Sequence, residues 1–395
     1  MVERHLKNTI ARLIHISHSI QHLHQIHSQI LTSPNLSSHH RSFLVSRLLL
    51  QLCAAASSPL SLPYAARIFA HIPNPSLFAY NAIIRASATE SSGRQCFILY
   101  KSLLRGGLLP DSITLPFVLK ECSNRANMSS GRALHAHSFN LGYESNLYVQ
   151  NSLITLYTDC GAMDNARKVF DAMPQRDAVS WNSMIISFLR GGELDSALKL
   201  FRQMESKKNI ITWNSVITGL TQGSRPRQAL DIFREMHDKN TVLPDKITVA
   251  SALSACASLG AIDQGKWVHA YLHRTGLECD VAVMTALVDM YGKCGYVDKA
   301  TKIFRAICNK DVFAWTAMIS VLALNGLGHE ALGVFAEMEG SGVRPNDVTF
   351  VALLSACVHC GLVDWARWCF DRMERAYGVR PGNEHYACML AAPCQ

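Results

Sequence analysis

Three features of the sequence predict an all-α chain, a right-handed α-solenoid superhelix of stacked helix-turn-helix repeats. Two segments repeat each other at a fixed offset, a pair of short phrases recurs every 31 to 36 residues, and apolar residues inside each recurrence follow helical spacing. The segment LYVQNSLITLYTDCGAMDNARKVFDAMPQRD (147 to 177) returns in altered form as VAVMTALVDMYGKCGYVDKATKIFRAICNKD (281 to 311). Both are 31 residues long and start 134 apart, and the same offset relates Gly131 to Gly265, His135 to His269 and Cys160 to Cys294.

Each unit opens with a phrase of the kind LFAYNAII at 77, AVSWNSMI at 178, IITWNSVI at 210 and VFAWTAMI at 312. Each closes with one of the kind ARIFAHI at 66, ARKVFDAM at 166, ALDIFREM at 229 and ARWCFDRM at 366. Placed by these phrases, units start at 42, 77, 112, 147, 178, 210, 246, 281, 312 and 347, with a degenerate unit near residue 4. Within 312 to 346, Trp315, Met318, Ile319 and Leu322 mark one helix face, and Leu332, Phe335 and Met338 mark a second. Cys160-Gly161, Gly191-Gly192, Cys294-Gly295, Asn325-Gly326 and Cys360-Gly361 supply the turn between the two helices. A hairpin of this size cannot bury both apolar faces alone, so neighbours stack into one continuous core. The expected organisation is a segment at 1 to 41, an array of about ten hairpins at 42 to 382, and the start of a further unit at 383 to 395.

Composition narrows the function. Hydrophobic residues make up 49% of the 395 and charged residues 17%, which excludes a disordered or highly charged coiled-coil chain. The charge-poor stretch from Leu48 to Ala66 is interrupted by Gln51, Ser57, Ser58, Pro59, Ser61 and Pro63, so no membrane insertion is expected. Thirteen scattered cysteines, an odd number, fit a reducing compartment better than a disulfide framework. The net charge of +8 is lopsided: through residue 89, seven basic residues face Glu3 alone, whereas the remainder carries 31 basic against 29 acidic residues. An acid-poor, Arg- and Ser-containing N-terminus is the composition of an organellar transit segment, and equally of a basic first structural element.

The marks TWNSVITGL, SALSACASLGAIDQGKWVHAYL, LVDMYGKCG, GVRPNDVTFVALLSAC and the final EHYACM give the chain, over nearly its whole length, a resemblance to the plant pentatricopeptide repeat proteins. It is closest to the subclass that alternates standard, long and short repeats. The resemblance implies binding of single-stranded organellar RNA, with the mitochondrion ahead of the chloroplast. It also implies site recognition for cytidine-to-uridine editing, with partners that include a trans-acting cytidine deaminase of the same family and multiple organellar RNA-editing factors.

It further implies that the fifth and last residues of a repeat read one base, and that an apolar second residue sandwiches it. On this chain the reading pairs are Asn81 with Asp111, Asn151 with Asp177, Asn182 with Asn209, Asn214 with Asp245, Thr285 with Asp311, and Thr316 with Asn346. The stacking residues are Phe78, Tyr148, Val179, Ile211, Ile247, Phe313 and Val348. The family's code then gives U-n-U-Y-U-n-G-A, with no reading at Pro116, Ala250 and Val351. The chemistry suits the role independently: Asn both donates to and accepts from a base edge, and a carboxylate orients the amide. The alternative for the unit-final Asp and Asn is ordinary helix N-capping.

Other constellations point elsewhere or nowhere. Cys357, Cys360, His385 and Cys388 have zinc-ligand types but loose spacing, so no metal is expected; His15, His18 and His22 fall at spacings that put them on one helix face. His27, His135 and His269 recur at equivalent places, which points to architecture, and Trp181, Trp213 and Trp315 suit core packing. His329-Glu330 has Gly333 where a zinc protease needs its second His, and no Walker loop or Gly-x-Ser-x-Gly occurs. The deaminase signature His-x-Glu is also missing, so this chain is expected to be no enzyme and to need no cofactor. Competing readings are RNA stabilisation or splicing, a peptide-binding solenoid of the tetratricopeptide kind, and a truncated relic without function.

Overall fold

The computed structural model describes residues 2–17, 19–54, 61–89, 94–204, 208–239 and 241–391. Twenty-three helices and no strand occur among the described residues. None of these helices is long and apolar enough to cross a membrane. The chain forms two compact units, Met1–Ser187 and Phe188–Gln395, each a stack of helical hairpins.

Helix starts fall where the phrases place them in eight of the ten units; at 42 the boundary falls inside a helix that already starts at Ser38. Helices begin at Leu77, Leu147, Ala178, Ile210, Lys246, Val281, Val312 and Asp347, each the first residue of a sequence unit. The reason is local: the residue just before most of these starts is an Asn or Asp whose side chain accepts the free amides of the first turn. Asn146, Asn209, Asp245, Asp280, Asp311 and Asn346 all cap in this way. At 112 the helix starts two residues late, at Thr114, yet Asp111 still accepts from the amides of Ile113 and Thr114 at 2.9 and 2.8 Å. At the hairpin turns Gly161 and Gly361 have φ of 72° and 70°, the left-handed backbone that closes a helix and favours glycine.

First helices pack on the first helices of neighbouring hairpins and on second helices. The second helices are strongly amphipathic: in Leu194–Gln203 only the stripe Leu194, Ala197, Leu198 and Phe201 is buried. A recurring aromatic joint links hairpins. Phe170 meets Trp181 edge-on at 5.1 Å, Phe201 meets Trp213 at 5.0 Å, and Phe304 meets Trp315 at 5.2 Å. Arg176, Lys208 and Lys310 lie 4.6, 4.6 and 5.0 Å from the three Phe rings. Each such pair contributes about 0.5–1.5 kcal/mol beyond its burial, and the cation about 0.5–1 kcal/mol more. The cation directly precedes the unit-final residue, so the joint fixes the backbone from which Asp177, Asn209 and Asp311 project. Trp213 and Trp315 are buried and Trp181 half-buried, as core packing requires.

The histidines of the repeated register serve architecture. His27, His135 and His269 each bond through Nδ1 to a tyrosine hydroxyl of the next hairpin, Tyr64 at 2.6 Å, Tyr157 at 2.8 Å and Tyr291 at 2.9 Å. Burial pushes all three imidazoles below their usual pKa.

The basic N-terminal segment is folded into helices. Val2–Ile16 and Ile20–Thr32 pack on each other and on Ser38–Ala54, burying Ile10, Ile14, Leu23, Ile26 and Ile30. The expected shared face for His15 and His22 does not form, because the chain breaks into two helices between them; His18 lies outside the described residues. The cysteine and histidine set near the C-terminus is occupied otherwise. Cys357 is buried, the Cys360 thiol donates to the Gly326 carbonyl at 3.3 Å, and His385 Nε2 bonds to the Asp347 carbonyl at 3.0 Å.

Candidate nucleic-acid interface

In seven first helices the second residue of the unit is an exposed apolar side chain. Phe78, Tyr148 and Val179 in the first unit, and Ile211, Ile247, Phe313 and Val348 in the second, are between 55% and 75% exposed. The residues that flank them in the same helices form the core. Water-exposed apolar side chains at one register position, repeated seven times, are not explained by packing; they are flat or branched platforms available to a base.

The candidate reading residues sit lower. Asn81, Asn182 and Thr316 are 7–8% exposed; Asn151, Asn214 and Thr285 are half-buried. Of the six expected pairs, those of Asn81, Asn214 and Asn151 are joined directly. Asn81 Nδ2 donates to both carboxylate oxygens of Asp111 at 3.1 and 3.0 Å, and Asn214 Nδ2 donates to those of Asp245 at 3.1 and 2.9 Å. The side chain of Asn151 also bonds to Asp177. Thr316 reaches Asn346 through Thr349, whose amide and hydroxyl both donate to Asn346 Oδ1 at 2.9 and 2.8 Å. Asp311 Oδ1 caps through Ala314 N at 2.9 Å. Asn209 caps its own helix at Thr212, and Asn182 is buried in the first unit.

Capping and pairing therefore coexist in one carboxylate. Asp245 Oδ1 holds the amide and hydroxyl of Thr248, each at 2.9 Å, while the same carboxyl receives Asn214. Burial raises the pKa of Asp111, Asp177 and Asp245, but the hydrogen bonds from Thr114, Ser180 and Thr248, together with the paired Asn, outweigh it and leave all three below the usual carboxylate range. The carboxylates stay ionised at neutral pH and act only as acceptors, so each fixes which end of the Asn amide faces it.

In the first unit these parts converge on a cleft of about 670 Å³. Ile113, Tyr148 and Val179 stand along it with Asn151 and Asp177, and Lys120 adds a cation. A cleft lined by apolar side chains, an amide and a cation is chemically suited to a base and its phosphate.

Two features were not foreseen. Ile113, 56% exposed, is the second residue of the unit at 112 and matches the candidate stacking residues, while Ala282 offers only a methyl at that position. Reading the second residue of the units at 112 and 281 as well would have found both. The third residues Thr114, Thr248 and Thr349, which contact the reading residues, carried no signal in one unit's sequence because the contact spans 33 or 34 residues.

Comparison with known proteins agrees with this geometry. Residues 208–258 and 310–359 match the model described as PPR repeat family, and 151–177, 179–209, 282–312 and 348–377 match PPR repeat. A pentatricopeptide repeat-containing protein of Arabidopsis thaliana, described as chloroplastic/mitochondrial, is 39% identical over 93% of this chain and 53% of its own length. A second from the same plant is 39% identical over 94% of this chain and 73% of its own. The chain thus spans about half to three quarters of the curated relatives it matches. Among solved structures, the crystal structure of the pentatricopeptide repeat protein PPR10 from maize superposes with a TM-score of 0.57 at 19% identity, over 98% of this chain and 61% of that one.

Proposed function

Because the chain belongs to the pentatricopeptide repeat family, we propose that it binds single-stranded RNA of an organelle and reads it at one nucleotide per repeat. The observation that carries this reading is the exposed apolar second residue, repeated from unit to unit, joined at Asn81, Asn151 and Asn214 by a fifth-residue amide held by the unit-final Asp. Stacking supplies sequence-tolerant affinity, while the paired amide or hydroxyl supplies discrimination at the base edge. The repeated hairpins suit a binding scaffold.

The role we infer is recognition of cytidine-to-uridine editing sites, with the deaminase and further organellar RNA-editing factors acting in trans. Its support is the subclass pattern of alternating unit lengths. The acid-poor N-terminal residues, with their seven basic side chains against Glu3, suit import into an organelle, and the mitochondrion is our preferred destination.

The direct test is fluorescence anisotropy with a labelled RNA carrying U-n-U-Y-U-n-G-A, alone and annealed to its complement. The proposal requires binding of the single strand and exclusion of the duplex, whose base edges are already paired. Equal affinity for both would refute base reading. Loss of specific cytidine-to-uridine conversions in plants lacking the protein would support the editing role, and altered transcript ends or splicing with all conversions intact would replace it.

A further inference from the structure

Thr114, Thr248 and Thr349 each stand third in a unit, and each hydroxyl reaches back to the fifth residue of the preceding unit. Thr114 Oγ1 shares its one proton between Asn81 Oδ1 at 2.6 Å and Asp111 Oδ1 at 2.9 Å, Thr248 Oγ1 shares its proton between Asn214 Oδ1 and Asp245 Oδ1 in the same way, and the hydroxyls of Thr349 and Thr316 lie 2.7 Å apart. The amides of Asn81 and Asn214 are therefore held at both ends: the carboxylate takes the nitrogen, the threonine proton takes the oxygen, and the two cannot exchange. One N–H and one lone pair remain for a base.

In the Thr316 case the Thr349 hydroxyl also lies 2.8 Å from Asn346 Oδ1, so one hydroxyl joins the fifth residue to the unit-final residue.

Two other units lack this arrangement. Ser180 gives its proton to Asp177 Oδ1 at 2.8 Å, and Asn151 Oδ1 is buried without a hydrogen-bond partner. Ala314 has no hydroxyl, and Thr285 Oγ1 is likewise buried without a partner. The orphaned atoms thus occur where the third residue of the following unit is not threonine.

We propose that this third residue is a positioning residue for base reading. Its hydroxyl sets the donor and acceptor polarity of the preceding unit's fifth residue, so discrimination is sharp where it is threonine and relaxed where it is serine or alanine. The inference rests on the RNA-reading function proposed above. It adds a residue that touches no base to the determinants of specificity.

The experiment compares the full chain with Thr248→Val and Ala314→Thr by selection from a short randomised single-stranded RNA pool, scoring enrichment nucleotide by nucleotide. Thr248→Val keeps the shape and the backbone amide bonded to Asp245 but removes the hydroxyl that reaches Asn214 and Asp245 and accepts from the Asp245 amide. Losing one net hydrogen bond predicts a fall of about three- to tenfold in preference at the fifth nucleotide, with the others unchanged. Ala314→Thr removes nothing and should sharpen the seventh nucleotide by a similar factor, which keeps the proposal decidable if Thr248→Val proves unstable. A wild-type protein without preference at the fifth nucleotide would defeat base reading itself. A wild type that selects there, joined by two variants with unchanged profiles, would overturn the positioning role and leave base reading standing.

Discussion

Tyr148→Ala separates binding from folding most cleanly. The ring is 75% exposed and lines the cleft together with Ile113 and Val179. Its removal takes little from the core, and an exposed substitution of this kind changes stability by about 0.5 kcal/mol or less. The loss in binding is larger. Base–aromatic stacking contributes about 1–3 kcal/mol per base, and the side chains of Ile113 and Val179 remain, so a total of about 2 kcal/mol is expected. That corresponds to about a 30-fold rise in Kd. Anisotropy titration with the single-stranded RNA reads the binding term, and a thermal melt reads the stability term. The control is Tyr157→Ala, whose ring is 4% exposed and hydrogen-bonded to His135, and which should cost about 3–5 kcal/mol of stability. An unchanged Kd for Tyr148→Ala, or a melting shift as large as that of Tyr157→Ala, would refute the assignment of Tyr148 as a platform.

The remaining predictions address the code, pH and packing. Thr316→Asn should move preference at the eighth nucleotide from A toward a pyrimidine and leave the rest alone; an unchanged selection profile contradicts the register. His27, His135 and His269 bind protons less readily folded than unfolded, so stability is complete when they are neutral and declines as pH falls below the ordinary value of 6.5. Denaturant midpoints should therefore be lower at about pH 5 than at about pH 7.5, and substituting all three with glutamine should flatten that dependence. A Cβ at Gly292 would collide with the Val321 side chain, whereas Gly333 faces open space within its helix. Calorimetry should find Gly292→Ala destabilising by about 1–3 kcal/mol and Gly333→Ala stabilising by up to about 1 kcal/mol.

The fold was legible because each unit announces its own boundaries. An Asn or Asp cap, an amphipathic second helix and a turn glycine are local signals, and they place helix starts at 147, 178, 210, 246, 281, 312 and 347 without knowledge of packing. The site was legible to the same depth: the second and fifth positions are fixed by register, and the cap residue announces itself. What the sequence did not convey is tertiary. The threonine bond to Asn81 crosses 33 residues, and the double role of Asp245 as cap and partner exists only once two hairpins stack. The expected histidine face at 15 and 22 failed for a related reason: a break between two helices overrides helical spacing counted through it.

The central claim, that this stack of hairpins reads bases in order, is tested most directly by selection of wild-type protein against a randomised single-stranded RNA pool at near-physiological salt. The account predicts enrichment of a U-n-U-Y-U-n-G-A core, with the second and sixth nucleotides unselected because Pro116 and Ala250 stand in the reading position there. A folded, monodisperse sample that enriches no sequence, or one unrelated to this register, would contradict it.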